Sequence, residues 1–314
     1  MVPMRDGVKL ATDVFRPDAP GRYPVLVTRG PYGKDGYVNN PGHSIWFFAQ
    51  HGYVVVSQDC RARFESEGDN YDPLFQEVQD GYDTVEWAAR QPWSNGRVGT
   101  TGQSYLGATQ YTLATSNPLP PHLQVMAPVS ASADFHQSWA YHTGGAMEWG
   151  WMVPYAIFKG RNTLSRAGHE KLLSQMDEYV LPPDNFAQPL KDEWYRHLPL
   201  SDWINRLKEA APYFREYLDN EADGAYWWRV NLLRHAEGIT LPMFHVSSWY
   251  DIFLEGALNA YQSIRGRGGS ELARRSQKLL IGPWAHIRPY TEPTSGETGD
   301  IDFGSEARIE LHEN

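Results

Sequence analysis

The chain has 314 residues, and its 38 Asp and Glu against 28 Lys and Arg give a formal net charge of −10 at pH 7. This acidic balance disfavours both a nucleic-acid surface and an anionic membrane surface, because each of those requires clustered Lys and Arg. A single cysteine, Cys60, excludes an internal disulfide framework and any metal site built from several cysteines.

The first 133 residues predict an alternation of strands and helices. Val8–Phe15 alternates apolar with polar side chains, which is typical of a half-buried strand near a sheet edge. Val25–Val27 and Tyr53–Val56 are unbroken apolar runs, which indicate central strands of a parallel sheet. The other predicted elements are a helix over His43–Gln50, a helix over Val78–Ala88, a strand over Arg97–Thr101, a helix over Tyr105–Thr115 and a strand over Leu123–Val129. This order predicts an α/β fold with helices on both faces of a mostly parallel sheet.

The alternation is interrupted over residues 134–238, where Trp and Tyr are frequent and no comparable strand pattern occurs. Helical periodicity is found here from Gly168 to Tyr179 and from Leu200 to Leu218. The pattern then resumes with a strand over Met243–Ser247, a helix over Leu254–Ile264 and a strand over Gln277–Ile281. We therefore predict an α/β core formed by residues 1–133 and 239–314, with residues 134–238 as a helical cap insertion.

A candidate nucleophile, Ser104, lies in the segment Gly102-Gln103-Ser104-Tyr105-Leu106-Gly107, between a predicted strand and a predicted helix. A serine in a sharp strand-to-helix turn exposes its hydroxyl above the sheet edge, and the N–H of the next residue, Tyr105, can bind an oxyanion. The spacing is G-x-S-x-x-G rather than G-x-S-x-G. By itself the segment therefore predicts a plain turn of small residues equally well.

Two further candidates follow predicted strands later in the chain. Asp251 ends the segment Ser248-Trp249-Tyr250-Asp251, and His286 ends Gly282-Pro283-Trp284-Ala285-His286. Alone, Asp251 is more typical of a helix N-cap, and one histidine among 11 has little weight. The order Ser104, Asp251, His286 is nevertheless that of the α/β-hydrolase triad. Because ligands bind at the carboxyl ends of strands in open α/β sheets, three such positions together predict a catalytic site.

A second oxyanion donor is predicted in the loop after the strand at Val25–Val27, which reads Arg29-Gly30-Pro31-Tyr32-Gly33-Lys34. The donor is either a backbone N–H of this loop or the hydroxyl of Tyr32. The alternative is a Pro-Tyr-Gly turn without a role in the site.

These motifs resemble those of the cocaine-esterase and X-Pro dipeptidyl-peptidase-like serine hydrolases, a group that also includes the α-amino-acid ester hydrolases. The matching stretches, in family order, are Met4–Leu10, Gly30–Tyr32, Gln58–Arg61, Ser66–Gly68, Gly102–Gly107, Trp249–Asp251 and Gly282–His286. The resemblance implies an α/β-hydrolase fold, with Ser104 as nucleophile, His286 as base and Asp251 orienting the histidine. It also implies an oxyanion hole formed by Tyr32 and the Tyr105 N–H. The expected lining residues of an aromatic acyl pocket are Trp139, Tyr155 and Phe253.

The sequence departs from the family pattern in two places. Arg61 is followed by Ala62 where the family usually has glycine. Family members usually continue into a C-terminal jelly-roll β domain that helps to close the active site, whereas the sequence ends at Asn314. The expectation is either a fragment or a site more open than in relatives.

The resemblance predicts a serine hydrolase that cleaves a carboxylic ester or amide through an acyl-enzyme, with a hydrophobic or aromatic acyl group. An ester is favoured over a peptide, because no acidic subsite for a peptide α-amine can be placed in the sequence. The alternatives are X-Pro dipeptidyl-peptidase or α-amino-acid ester hydrolase activity and, from another class, a non-catalytic binding module. We expect a small-molecule substrate, no metal or cofactor and, since Met1–Gly7 lack a signal-peptide core, a cytoplasmic location. A homo-oligomer is left open.

Overall fold

The computed structural model of the chain describes residues 1–38, 45–142, 144–177, 196–286, 297–298, 301–302 and 304. The strands are β1 (Val2–Pro3), β2 (Lys9–Leu10), β3 (Thr12–Phe15), β4 (Tyr23–Gly30), β5 (Val54–Asp59), β6 (Ser94–Gln103), β7 (Leu123–Val129), β8 (Phe244–Tyr250), β9 (Lys278–Ala285), β10 (Glu297–Thr298) and β11 (Ile301–Asp302). The α-helices are α1 (Lys34–Val38), α2 (Ile45–Gln50), α3 (Glu77–Ala89), α4 (Tyr105–Leu113), α5 (Trp149–Arg166), α6 (Glu170–Asp177), α7 (Asp202–Leu207), α8 (Phe214–Asp219), α9 (Ala225–Trp228), α10 (Leu254–Arg267) and α11 (Glu271–Arg275).

A seven-stranded sheet in the order β3-β5-β4-β6-β7-β8-β9 forms the centre of the molecule. β3 runs antiparallel to β5 at one edge, and the other pairs are parallel. All six residues of β5 are buried, so both faces of the sheet are covered there. The unbroken apolar runs of β4 and β5 pair directly, with Val25 opposite Val54 and Val27 opposite Val56. The predicted α/β fold with a mostly parallel sheet is therefore confirmed.

Each element predicted within residues 1–133 and 239–281 has a counterpart in the described residues, although residues 43–44 of the helix predicted over His43–Gln50 lie outside them. The strand predicted over Val8–Phe15 is divided in two. β2 pairs with β1 in a small hairpin, whereas β3 joins the main sheet. The break falls at Ala11, whose N–H donates to Ser66 Oγ at 2.9 Å instead of to a neighbouring strand.

Residues 134–238 contain helices in the described part of the chain, beginning with a π-helical turn over His136–Ala140. The sequence did not single out α5, which is the longest helix among the described residues. The helix predicted over Leu200–Leu218 is in fact α7 and α8. α7 ends at Leu207, and Pro212, which has no N–H to continue a helix, lies in the segment that leads into α8. The prediction over Gly168–Tyr179 corresponds to α6, and residues 178–179 lie outside the described residues. The division into a core and a helical cap remains a prediction. No helix among the described residues has the length and apolarity that crossing a bilayer requires.

Close packing of α4 against β7 requires glycine at position 107. A Cβ added to Gly107 would lie 2.7 Å from Ala131 Cβ and 2.9 Å from the Val129 carbonyl oxygen. We expect Gly107→Ala to lower the free energy of unfolding by about 1–3 kcal/mol, because backbone and packed side chains must move to admit the methyl group. Denaturant unfolding of the wild type and the variant measures this difference.

Gly266 provides the matched control, because it also lies in a helix, α10, but a Cβ there meets nothing within 4 Å. We expect Gly266→Ala to leave stability unchanged or to raise it by up to about 1 kcal/mol, since alanine is the better helix former. Equal stabilities of the two variants would contradict the close approach at Gly107.

Candidate active site

Ser104 occupies the turn between β6 and α4 in a strained backbone conformation. Its φ of 59° and ψ of −123° lie outside the regions that residues with a side chain normally adopt. Gly102, two residues earlier, has a φ of +145°, and a Cβ there would lie 2.5 Å from Leu106 Cβ. The small residues of the motif therefore permit the sharp turn, which places Ser104 at the carboxyl edge of the sheet.

The structure brings Ser104, Asp251 and His286 into one hydrogen-bonded chain. His286 Nε2 is 2.9 Å from Ser104 Oγ, and His286 Nδ1 is 3.1 Å from Asp251 Oδ1. The three residues follow β6, β8 and β9, whose carboxyl ends meet at one edge because the strands are parallel. With a proton on Nδ1 facing the carboxylate, Nε2 can accept the hydroxyl proton of Ser104. Gln103, which the sequence analysis did not select, donates its side-chain amide to the His286 carbonyl oxygen.

Asp251 is 7% exposed, and its Oδ1 atom forms the hydrogen bond with His286 Nδ1. Burial raises the pKa of this carboxyl, but the hydrogen bond with His286, its charge and the Phe253 N–H outweigh burial, so the pKa lies below its usual value. The Phe253 N–H donates to Asp251 Oδ1 at 2.8 Å. Asp251 is therefore an anion that can stabilise a protonated imidazole.

Tyr32 lies beside the candidate nucleophile with its hydroxyl oxygen 3.0 Å from that of Tyr155. Burial raises the pKa of Tyr32 to about 12, while hydrogen bonds with Tyr155 and Ser104 act in the opposite direction. The phenol thus keeps its proton at neutral pH and can donate it in a hydrogen bond. Tyr105 is the first residue of α4, where helix N–H groups have no intrahelical acceptor. The two candidate oxyanion donors therefore flank Ser104.

The three predicted pocket residues form one aromatic cluster next to the histidine. Trp139 stacks on Phe253 with ring centroids 5.1 Å apart, and Tyr155 packs edge-on against Trp139 at 5.7 Å. Phe253 in turn lies 5.1 Å from the His286 ring. The sequence analysis missed Trp151, which contacts Trp139 at 5.0 Å and Tyr155 at 4.5 Å. The i, i+4 spacing of Trp151 and Tyr155 on α5 is a signal that could have found it.

A buried ion pair lies beneath the turn of Ser104. Arg29 Nη1 is 2.8 Å from Glu77 Oε2, and both side chains are almost completely buried. The Tyr105 hydroxyl accepts the Leu74 N–H at 2.8 Å and donates to Glu77 Oε1 at 3.2 Å. This network anchors the side chain of Tyr105, whose N–H is a candidate oxyanion donor.

In the described ranges, no group of three His, Cys, Asp or Glu side chains comes together as metal ligands.

Known proteins resemble this chain in sequence and in fold. Cocaine esterase from Rhodococcus sp. (strain MB1 Bresler) is 30% identical over 318 residues, covering 100% of this chain and 52% of the esterase. An aminopeptidase structure from the marine sediment archaeon Thaumarchaeota archaeon superposes with a TM-score of 0.70 at 22% identity, covering 97% of this chain and 50% of that one. A structure of an α-amino-acid ester hydrolase gives a TM-score of 0.67 at 24% identity, covering 98% and 50%. These structures confirm the predicted α/β-hydrolase fold.

The chain spans about half the length of cocaine esterase, 52% by the alignment. The family model of the X-Pro dipeptidyl-peptidase (S15 family) matches residues 6–288, a stretch that contains Ser104, Asp251 and His286. With the motifs, the fold and this match in agreement, the chain belongs to the X-Pro dipeptidyl-peptidase S15 family, as its sequence predicted.

Proposed function

We propose that the protein is a serine hydrolase that cleaves carboxylic esters through an acyl-enzyme. The observation that carries this proposal is the hydrogen-bonded chain from Ser104 through His286 to Asp251, with distances of 2.9 Å and 3.1 Å. A strained serine at a strand-to-helix turn, a histidine within reach and a buried carboxylate behind it are the parts that acyl transfer requires.

In the proposed reaction, Ser104 Oγ attacks the ester carbonyl carbon while His286 Nε2 takes the hydroxyl proton. Asp251 keeps the imidazole in the correct tautomer and stabilises its positive charge. The carbonyl oxygen becomes an oxyanion that accepts hydrogen bonds from the Tyr32 hydroxyl and the Tyr105 N–H. The carbon–oxygen bond to the alcohol then breaks, and His286 gives its proton to the departing alkoxide. Water, activated by the same histidine, releases the acid and restores Ser104.

The aromatic cluster beside His286 supports an ester whose acyl group is hydrophobic or aromatic. Trp139, Tyr155 and Phe253 make the surroundings of His286 apolar, which suits an uncharged acyl group better than the charged α-amine of a peptide. Tyr155 and Trp139 are only 4% and 2% exposed, because the rings of the cluster are covered by one another and by the surrounding protein. The proposal further includes a cytoplasmic location and no cofactor, and it leaves a homo-oligomer open.

The decisive experiment combines covalent labelling with turnover. Wild-type protein is treated with a fluorophosphonate, which forms a bond between Oγ and phosphorus as fluoride leaves, and the labelled residue is located by mass spectrometry. We expect the adduct on Ser104 together with release of p-nitrophenol from p-nitrophenyl benzoate. Ser104→Ala should abolish both signals, whereas Ser174→Ala, at a serine on α6 that bonds only the Glu170 carbonyl among the described contacts, should leave them intact.

Each other result contradicts a stated part of the proposal. Wild-type protein without adduct or turnover would favour a non-catalytic binding module. An adduct that persists in Ser104→Ala would mean another nucleophile. Faster cleavage of an X-Pro p-nitroanilide than of the aryl ester would favour dipeptidyl-peptidase activity over the proposed ester specificity.

A further inference from the structure

Lys159, in the middle of α5, is buried beside the candidate active site, and its amine meets no polar partner in the described part of the chain. Its side chain is only 1% exposed, and its Nζ atom has no hydrogen-bond partner among the residues that the structure describes. Lysine is almost never fully buried unless it is paired, because removing an amine from water without a new hydrogen bond is costly. Such a residue destabilises the fold, so its presence points to a role other than stability.

Four tyrosine rings surround this amine. Nζ lies over the ring of Tyr32 at 4.0 Å from its centroid, and at 4.9 Å, 5.1 Å and 5.5 Å from those of Tyr105, Tyr155 and Tyr71. The nearest ring is thus the one whose hydroxyl is the proposed oxyanion donor. Tyr155, the hydrogen-bond partner of that hydroxyl, faces the same amine.

The charges around Lys159 are few and lie on neighbouring elements. The Arg63 guanidinium donates to the Lys159 carbonyl oxygen at 3.0 Å, and Glu77 is already paired with Arg29 at 2.8 Å. Burial, followed by the charge of Arg63, lowers the pKa of Lys159 well below its ordinary value. The charged form places a full positive charge over the ring of Tyr32, and the neutral form can direct the positive ends of its N–H bonds toward that ring.

A positive group over the face of an aromatic ring is attracted by the ring quadrupole and withdraws electron density from it. A phenol ring polarised in this way donates a stronger hydrogen bond from its hydroxyl. The benefit is larger for the oxyanion of the tetrahedral intermediate than for the neutral carbonyl of bound substrate, and only such a difference accelerates the reaction.

We propose that Lys159 is a positioning residue of the oxyanion hole, which acts through the ring of Tyr32 by orienting and polarising the hydroxyl that binds the oxyanion. This inference rests on the proposed function, because it needs Ser104 as nucleophile and Tyr32 as donor. On this inference, the buried amine lowers the stability of the fold and raises the rate of acyl transfer.

The test is Lys159→Met, which keeps the length of the side chain and removes the buried amine. We expect kcat for p-nitrophenyl benzoate to fall about tenfold with KM nearly unchanged, because the amine strengthens the hydrogen bond to the oxyanion more than the hydrogen bond to the bound carbonyl. The thermal midpoint should rise or stay the same, because an unsatisfied polar group is lost from the interior. Lys171→Met, at an exposed lysine on α6, is the matched control and should change neither quantity.

A double-mutant cycle shows whether Lys159 acts through Tyr32. In protein that already carries Tyr32→Phe, Lys159→Met should change kcat by less than about twofold, because the hydroxyl on which the amine acts is gone. Lys159→Leu provides a second apolar variant, measured in the same two backgrounds, in case the methionine variant folds poorly.

The outcomes separate this inference from the function on which it rests. A kcat within about twofold of wild type for both apolar variants would overturn it, as would an equal tenfold loss with and without the Tyr32 hydroxyl. A loss of kcat that runs parallel to a lowered thermal midpoint in both variants would also overturn it, in favour of a structural role. In each of these cases wild-type Ser104 still reacts with the fluorophosphonate. Failure of that labelling in the wild type rejects the proposed function itself, and the inference with it.

Discussion

Asp251→Asn should lower kcat by about 10⁴-fold while leaving the fold and KM close to those of the wild type. The carboxylate accepts the Nδ1 proton of His286, with Nδ1 3.1 Å from Oδ1. An amide at this position can instead donate to Nδ1 and so stabilise the other tautomer. Nε2 would then carry the proton and could not accept the one from Ser104. The amide would also lack the negative charge that stabilises a protonated imidazole.

The fold should survive this substitution, because asparagine has nearly the size and shape of aspartate. When the amide nitrogen faces Nδ1, the Phe253 N–H that now lies 2.8 Å from Asp251 Oδ1 loses its acceptor, which is a local cost. Steady-state kinetics with p-nitrophenyl benzoate measure the loss, and thermal unfolding checks the fold. Asp219→Asn, at an exposed aspartate that ends α8, is the control and should be fully active. A loss smaller than about tenfold would be inconsistent with Asp251 as the partner of the catalytic histidine.

Tyr32→Phe should lower kcat by about 10²–10³-fold, the usual effect of removing one oxyanion donor, with little change in KM. The substitution keeps the ring beneath Lys159 and removes only the hydroxyl that lies beside Ser104. Because the pKa of Tyr32 is raised to about 12, mainly by burial, the wild-type hydroxyl is protonated throughout the neutral range and is available as a donor.

Tyr23→Phe is the matched control for this second substitution. Tyr23 is at the start of β4, the strand that precedes the loop of Tyr32, and its hydroxyl donates to the Ala19 carbonyl oxygen at 2.9 Å. Turnover of this control should equal that of the wild type. If Tyr32→Phe lost less than about threefold in kcat, Tyr32 would be a turn residue and the second donor would have to be a backbone N–H.

The order of the elements and the candidate triad could both be predicted from the sequence, because both depend on patterns within short stretches of chain. Apolar periodicity is a local property that follows from backbone geometry, so β4 to β7 and the helices between them were predictable. A mostly parallel sheet gathers the carboxyl ends of its strands at one edge. Ser104, Asp251 and His286, each directly after a predicted strand, therefore had to lie at the same edge once the sheet was parallel.

Where local patterns are weak or irregular, the sequence was a poorer guide. The break at Ala11 depends on a hydrogen bond to Ser66, a residue 55 positions away, and no alternation of side chains indicates it. Pro212 has no N–H and lies between α7 and α8, but apolar residues recur at helical spacing on both sides of it and therefore predicted one continuous helix. Gln103 could not be selected from the sequence, because its contact with His286 joins residues 183 positions apart.

By itself, the sequence determined the α/β fold, the family, and the three residues that follow the strands, since these depend on patterns within short stretches of chain. Only the tertiary structure decided what surrounds them. The pairing of Tyr32 with Tyr155 joins residues 123 positions apart. The packing of Lys159 among tyrosines from the loop after β4, the segment before α3, and the helices α4 and α5 depends on how separate elements dock. Such contacts are set by the shapes and volumes of side chains that meet in the folded interior, and no spacing along the chain encodes them.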